Sequence, residues 1–286
     1  MGSAMAKSVF YDQKNGIKIM TERVITLLYH DVIDGEDPDA SGFSGANPAE
    51  YKLSVNELDS HLDAIQRVLT SEVIVADAIH GHRYSTPPVL ISFDDGGVSA
   101  YDFIAPMLES RGWRGCFFIT TDRIDTKAFM TRQQIRELYF RGHMIGSHSC
   151  SHPRKISECS KEQLLDEWQK SLNVLSDILE EKVTVASVPG GFYSRQIAEA
   201  AAESGVKVLF TSEPVQRITH VDGCAVIGRF SVKRGMGAQV PVDFVTGNRI
   251  RRFRQFAYWN VKKLAKAVSG PIYPWVRSIY LSSKQA

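Results

Sequence analysis

The sequence predicts a parallel α/β barrel, and two observations carry that expectation. Short apolar runs alternate with amphipathic helical patterns some six or seven times along the chain, the arrangement that builds a parallel sheet covered by helices. That many units within about 240 residues fit a closed or nearly closed barrel better than an open sheet. In a barrel the chemistry gathers at the C-terminal ends of the strands. Reactive residue types should therefore follow the apolar runs directly.

The elements read in order as follows. Residues 24–29 form a β-rich run that ends at His30. Residues 31–50 are rich in Gly, Pro, Asp and Ser and are expected to loop. Leu58, Leu62, Ile65 and Leu69 fall at helical spacing, and Ser54 with Glu57 three residues on makes a capping box. A buried-type strand is expected at 89–93, a helix at 98–110 and a strand at 116–120. Thr131 caps a helix to 140, followed by a strand at 143–147 and a strong amphipathic helix at 161–179. Strands at 183–188, 207–211 and 225–228 enclose a helix at 194–204 that Gly205 stops.

Composition bounds the alternatives. Among 286 residues, 43% are hydrophobic and 23% charged, an ordinary balance that argues against disorder and collagen-like or solenoid repeats. Met1-Gly2-Ser3-Ala4-Met5 reads as an expression scar. The expected division is a catalytic barrel at 20–242 and a basic helical extension at 243–286. No apolar run is long enough for a signal peptide or a bilayer span. Cys116, Cys150, Cys159 and Cys224 lack CxxC spacing. A reduced, cytoplasmic setting is the expectation.

The net charge of +2 conceals an asymmetry. No Asp or Glu follows Asp243, yet nine of the 34 Lys and Arg do, so the other 25 stand against 32 acidic residues. Between 249 and 268 seven cations flank an apolar stripe of Ile250, Phe253, Ala257, Val261, Leu264 and Val268. Two readings fit: a helix that closes the barrel, or one that lies on an anionic membrane at its cytoplasmic face. Nothing else points to nucleic acid, and no such partner is expected.

Two clusters carry chemistry, each at a strand end. The run Val89-Leu90-Ile91-Ser92-Phe93 leads into Asp94-Asp95-Gly96-Gly97. Adjacent carboxylates repel, and a divalent cation relieves the conflict by taking one as a ligand while the other serves as a base. His143-Met144-Ile145-Gly146-Ser147 leads into His148-Ser149-Cys150-Ser151-His152. Two histidines and one carboxylate with open positions describe a hydrolytic metal site.

These segments resemble the signatures of the NodB-type polysaccharide deacetylases, carbohydrate esterase family four. Ser92-Phe93-Asp94-Asp95-Gly96 is similar to the usual Thr-Phe-Asp-Asp-Gly, and His148-Ser149-Cys150-Ser151-His152 to His-Ser/Thr-x-x-His. The likeness covers roughly residues 24–230. It implies a distorted (β/α)7 barrel, Asp94 as general base, and Asp95, His148 and His152 as metal ligands. Zn2+ is the first choice, with Co2+, Ni2+ or Fe2+ compatible with the same donors.

Two later signatures depart from the pattern. The third is usually Arg-x-Pro-Tyr, whose Arg orients the base; here Ser187 stands in Ser187-Val188-Pro189-Gly190-Gly191-Phe192-Tyr193. The downstream Leu-x-x-His, source of the general acid, has no match, since the nearest segment reads Ile227-Gly228-Arg229-Phe230. His30 ends the first strand, and the first and last strands of a barrel are neighbours. Tyr29-His30 also resembles the N-terminal Tyr-His that supplies the acid in some, circularly rearranged, branches of the family, and the resemblance implies that role for His30. Pro189 and Gly190 are expected to face the oxyanion, and Phe43 and Tyr193 the sugar. Asp31 has no assigned role, and Glu213 is a further carboxylate that could approach the pocket.

The expected activity is removal of an N-acetyl or similar acyl group from a carbohydrate, including a lipid-linked or cell-surface precursor. An amidohydrolase working on a non-carbohydrate amide and a catalytically weak glycan-binding relative are the other readings.

Overall fold

The computed structural model describes residues 23–79 and 84–269, the last eight of these by backbone alone. The expression scar at 1–5 and the ends of the chain lie outside them. One sheet dominates. Its strands are β1 (Ile25–Tyr29), β4 (Val89–Phe93), β5 (Cys116–Ile119), β6 (Met144–Ser147), β7 (Val185–Ser187), β8 (Val208–Phe210), β9 (Thr219–Val221), β10 (Cys224–Ile227) and β11 (Phe230–Ser231). A separate two-stranded sheet pairs β2 (Val32–Ile33) with β3 (Leu53–Ser54), so the expected loop after His30 begins and ends in strand.

The order in the main sheet is β11-β1-β4-β5-β6-β7-β8-β10-β9, and every pairing except β10 with β9 is parallel. That order explains the curl. β10 and β11 stand at opposite ends of the parallel set, yet only Gly228 and Arg229 separate them in the chain. Four consecutive residues span at most roughly 11 Å, so the two ends must approach. Both segments run in the same direction. They are one barrel strand that changes partner, pairing first with Phe210 through Ile227 and then with Leu27 through Phe230. Counted so, the barrel has seven strands, as the sequence leads one to expect.

The partner change needs a glycine. A Cβ at Gly228 would lie 2.2 Å from the carbonyl oxygen of Glu213, and Arg229 N–H donates to the same oxygen at 2.8 Å. Glu213 thus serves the site through its backbone.

Period-two alternation sorts the strand residues into two cores. Val24, Leu90, Cys116, Phe118, Met144, Val185, Val208, Phe210, Ala225 and Ile227 fill the barrel interior. Ile25, Leu27, Tyr29, Ile91, Phe93, Phe117, Ile119, Ile145, Ala186, Leu209 and Val226 face the helices. Gly146 makes room for Phe118, whose ring would lie 2.7 Å from an added Cβ.

The helices follow the sequence signals closely. α1 (Ala46–Ala49) is one turn in the loop after β2. α2 (Val55–Val68), α4 (Arg132–Phe140) and α5 (Lys161–Leu179) each begin with a complete capping box, on Ser54, Thr131 and Ser160. α3 (Ala105–Glu109) is preceded by a π turn over Ala100–Ile104, in which Ala105 N–H reaches Ala100 O. Pro106 offers no N–H at this point, which is where a helix departs from its regular ladder. α6 (Arg195–Glu203) starts from Ser194. α7 (Gln239–Thr246) and α8 (Arg249–Ser269) complete the described chain. The sequence reading misses α7, β9 and β11, all short.

Candidate active site

Alternation also assembles the site. On each strand the inward register, continued in steps of two past an interior apolar side chain, reaches a polar one. Val24 leads to His30, Leu90 to Ser92 and Asp94, Met144 to His148, Val185 to Ser187, and Ile227 to Arg229. Five strands therefore deliver their polar residues to one end of the barrel, the C-terminal end at which such folds keep their chemistry.

Asp94 is buried and held on all sides. Arg229 Nη1 donates to its Oδ1 at 2.7 Å and Nη2 to its Oδ2 at 2.8 Å. Ser187 Oγ donates to the same carboxylate at 3.2 Å and accepts from Arg229 Nη2 at 2.7 Å. The remaining guanidinium donors reach Ser92 Oγ at 3.3 Å and Thr211 O at 3.0 Å. All five N–H groups of this fully buried side chain are thus engaged, and Phe118 and Phe210 lie against it at 5.6 and 5.9 Å. Burial pulls the Asp94 carboxyl upward, but Arg229 prevails and holds it below its ordinary range.

The third signature offers no arginine at position 187, but the structure brings one to Asp94 from elsewhere. The guanidinium comes from the partner-changing strand instead of from β7. Ser187, small and hydroxylated, leaves it room and adds a hydrogen bond. Its signal was the inward register Ala225, Ile227, Arg229, legible only once β10 and β11 are recognised as one strand.

Asp95 follows with φ +78°, a left-handed conformation that costs a non-glycine residue of order 1–3 kcal/mol. The turn breaks the extended path and returns the Asp95 carboxylate to the same cluster as Asp94. Ser149 and His152 are left-handed as well, which coils their loop so that both histidines reach Asp95. Glu167 of α5 fixes that loop. It accepts from Cys150 N and Ser151 N at 2.9 Å each and from Ser151 Oγ at 2.6 Å.

His148 Nε2 lies 3.4 Å from Asp95 Oδ1, and His152 Nε2 lies 3.8 Å from the same oxygen. One ligand atom from each of the three falls within 4.8 Å of the others. His148 Nδ1–H donates to Ser187 O at 3.1 Å, which presents Nε2 with its lone pair toward the cluster. One carboxylate and two imidazoles at this spacing fit a divalent cation. Burial lowers both imidazoles. It prevails at His152, which is pushed down to about 4, whereas Asp94 and Asp95 outweigh it at His148 and raise that ring.

His30 is also enclosed. Its ring lies 4.7 Å from that of Tyr51, over which Lys233 Nζ sits at 4.5 Å. Among the described residues its buried Nδ1 has no hydrogen-bond partner. Burial depresses its pKa against the pull of Asp95 and Asp94, so His30 shares the field of the site. Phe43 lies 4.8 Å from the His152 ring and edge-on to Phe129, at the rim. Pro189 and Gly190 form a one-turn helix after β7, with Gly190 at φ +65°. Tyr193 packs against the outer core, in the field of Glu213 and Cys224 rather than of Asp94 or His148.

Asp31 proves to be a clasp. Its Oδ1 accepts from Ser41 Oγ at 2.7 Å and from Ser99 Oγ at 2.9 Å. An added Cβ at Gly42 or Gly97 would meet this carboxylate at 1.9 Å. The loop bearing Phe43 is thereby fastened to the turn bearing Asp94 and Asp95. Burial, with repulsion from Asp95, raises the Asp31 carboxyl to about 6. A raised carboxyl favours the folded state when protonated. That contribution is complete below pH ~4 and lost as pH rises through about 6, at most roughly 3 kcal/mol for a two-unit shift. Urea unfolding of Asp31→Asn and the unsubstituted protein in chelator should therefore show the variant gaining relative stability between pH 4 and 7. A gap that does not change with pH would refute this.

Similarity to known proteins agrees with the geometry. Residues 82–209 match the polysaccharide deacetylase family. The putative polysaccharide deacetylase YxkH of Bacillus subtilis is 28% identical over 214 residues, which span 73% of this chain and 71% of that protein. The Streptococcus pyogenes deacetylase PplD in complex with acetate shares the fold with a TM-score of 0.66 at 16% identity, covering 78% of this chain and 98% of that one. A de-N-acetylase from Aggregatibacter actinomycetemcomitans gives 0.63 at 22%, with coverage of 78% and 99%. The class is that of hydrolases acting on carbon–nitrogen bonds other than peptide bonds. Within it, residues 82–209 carry a polysaccharide deacetylase domain.

Proposed function

We propose that this chain is a metal-dependent deacetylase that removes an N-acetyl group from a saccharide, with Asp94 as the base and His30 as the acid. The observation that carries the reading is the Asp94–Arg229 pair beside the Asp95, His148 and His152 donor set. A divalent cation held by those three donors, Zn2+ in our reading, would supply Lewis-acid polarisation of the acyl carbonyl and of water.

The protein's own residues do the rest. Asp94, kept ionised and oriented by Arg229, accepts a proton from the attacking water. The amide carbon becomes tetrahedral, and in this reading the Gly190 N–H, just after β7, serves the oxyanion. His30 protonates the departing nitrogen, the carbon–nitrogen bond breaks, and acetate and a free amine result. Tyr51, with Lys233 over its ring, packs against His30. Phe43 offers a ring face at the rim for the sugar. A saccharide precursor carried on a lipid is the substrate we favour, because it would bring the reaction to a surface.

The test is acetate release from N-acetylglucosamine oligomers and peptidoglycan fragments by protein reconstituted with divalent metal. Absence of acetate from every N-acetylated saccharide, with turnover of a simple cyclic amide, would move the chain to the amidohydrolases. His30→Ala is expected to lower kcat about 10²–10⁴-fold, the range for a general acid, while metal content stays unchanged. Retention of full kcat would remove His30 from the mechanism.

A further inference from the structure

The extension at the end of the described chain is turned inside out relative to an ordinary surface helix. α8 meets the barrel through its polar side. Arg252 gives its guanidinium to Phe244 O and lies over the Phe230 ring, Gln255 donates to Ser231 O at 2.8 Å, and Arg251 pairs with Asp243 at 3.2 Å. The apolar stripe faces away. Ile250, Phe253 and Val261 are 73%, 68% and 67% exposed, and Ala257 lies between them on the same helical face. Tyr258 and Phe256, also exposed, border the stripe. The sequence leaves open whether this stripe closes the barrel; Ile250, Phe253 and Val261 do not face it.

A surface helix normally buries its apolar face and wets its cations. Here the fold spends polar contacts on anchoring the helix and leaves its greasy face in water, which calls for an apolar occupant. Charge decides which. Arg249 and Arg254 are exposed on either side of the stripe, and no acidic residue occurs anywhere after Asp243. A second copy would bring the same cations against themselves. An anionic phospholipid surface offers apolar depth beneath a negative plane and matches both properties. Among the described residues no helix is long and apolar enough to cross a membrane, so the helix would lie in the interface.

We propose that α8 docks the protein onto anionic lipid, with Ile250, Phe253 and Val261 inserted and Arg249 and Arg254 among the headgroups. The anchor has a consequence for the site. Phe230, on which Arg252 rests and against which Phe244 stacks at 4.9 Å, is the residue after Arg229. Docking through α8 thus fixes the barrel to the surface next to the strand that carries Arg229. The proposal stands apart from the deacetylase reading, since it needs only the helix.

Vesicle co-sedimentation of the full chain tests it. The protein should pellet with phosphatidylcholine vesicles containing about one-third phosphatidylglycerol and not with phosphatidylcholine alone. The triple variant I250S/F253S/V261S should lose at least tenfold in partitioning. R249Q/R254Q should lose about tenfold, with the remaining binding weakened by salt. These side chains are exposed, so circular dichroism and acetate release from a soluble oligosaccharide should stay unchanged in both variants. Equal partitioning with neutral and anionic vesicles, or no partitioning with either, would overturn the proposal. So would a dimer in sedimentation analysis that the triple variant dissolves, because a second copy would then occupy the stripe.

Discussion

Replacing Arg229 with Met is expected to lower kcat by at least about 10³-fold and to destabilise the protein by about 3–5 kcal/mol. The stability figure follows from what remains behind. Asp94 is buried, and removing its partner strands a carboxylate in a low-dielectric interior. The catalytic figure combines a base that loses its orientation with one whose ionisation is no longer favoured. Misplacement of about 1 Å alone costs 10²-fold, and burial without Arg229 pushes the carboxyl upward. Arg229→Lys should recover little, since an ammonium cannot hold Asp94 at both oxygens while also serving Ser92, Ser187 and Thr211.

Two comparisons separate chemistry from folding. In an Asp94→Asn background the Arg229→Met change should cost much less stability, because no charge is stranded; the cycle should show coupling above about 2 kcal/mol. The double variant Ser187→Arg, Arg229→Ser returns the guanidinium to the position the family's third signature usually gives it. Ser187 Oγ lies 2.7 Å from Arg229 Nη2, so the two sites overlap in space, and partial recovery of kcat is expected. If Arg229→Met kept kcat within threefold at full metal content, the arginine would be structural only.

The contrast between Arg229 and His148 shows what a sequence makes legible. Asp94, Asp95, His148 and His152 sit in short local patterns at the ends of apolar runs, and period-two alternation points the first and third into the barrel. The capping boxes on Ser54, Thr131 and Ser160 are equally local, and the helices begin where they say. Arg229 belongs to no local pattern. Its role depends on a strand that leaves β8 for β1, a fact of topology and not of neighbouring residues. The outward stripe of α8 was hidden for the same reason. Its periodicity is plain in the sequence, but which face meets the barrel is settled by Arg252 and Gln255 finding carbonyls on Phe244 and Ser231. Asp31 likewise looked unassigned until Gly42 and Gly97 were seen on either side of its carboxylate.

The double variant His148→Ala, His152→Ala is expected to bind no divalent metal and to release no acetate, while the unsubstituted protein binds one ion per chain by elemental analysis. Each ligand loss removes one of three protein donors, and Asp95 alone is an ordinary weak carboxylate site. The fold should persist, because neither imidazole supports a core cluster and the loop between them is held independently by Glu167. The pH dependence of metal affinity offers a sharper check, with the sign set by the two rings. Metal needs neutral imidazoles. His152, pushed down to about 4, is already neutral across the weakly acidic range. His148, raised by Asp94 and Asp95 despite its burial, still carries a proton there. Affinity should therefore fall about tenfold for each unit of pH below the His148 value, the slope of one displaced proton, and steepen only near pH 4. Calorimetry in buffers of different ionisation enthalpy counts that proton directly. Two protons released at pH 6 would mean that His152 is not the neutral donor its surroundings make it. Stoichiometric metal in the double variant would place the ion elsewhere and leave the Asp95 cluster without its purpose.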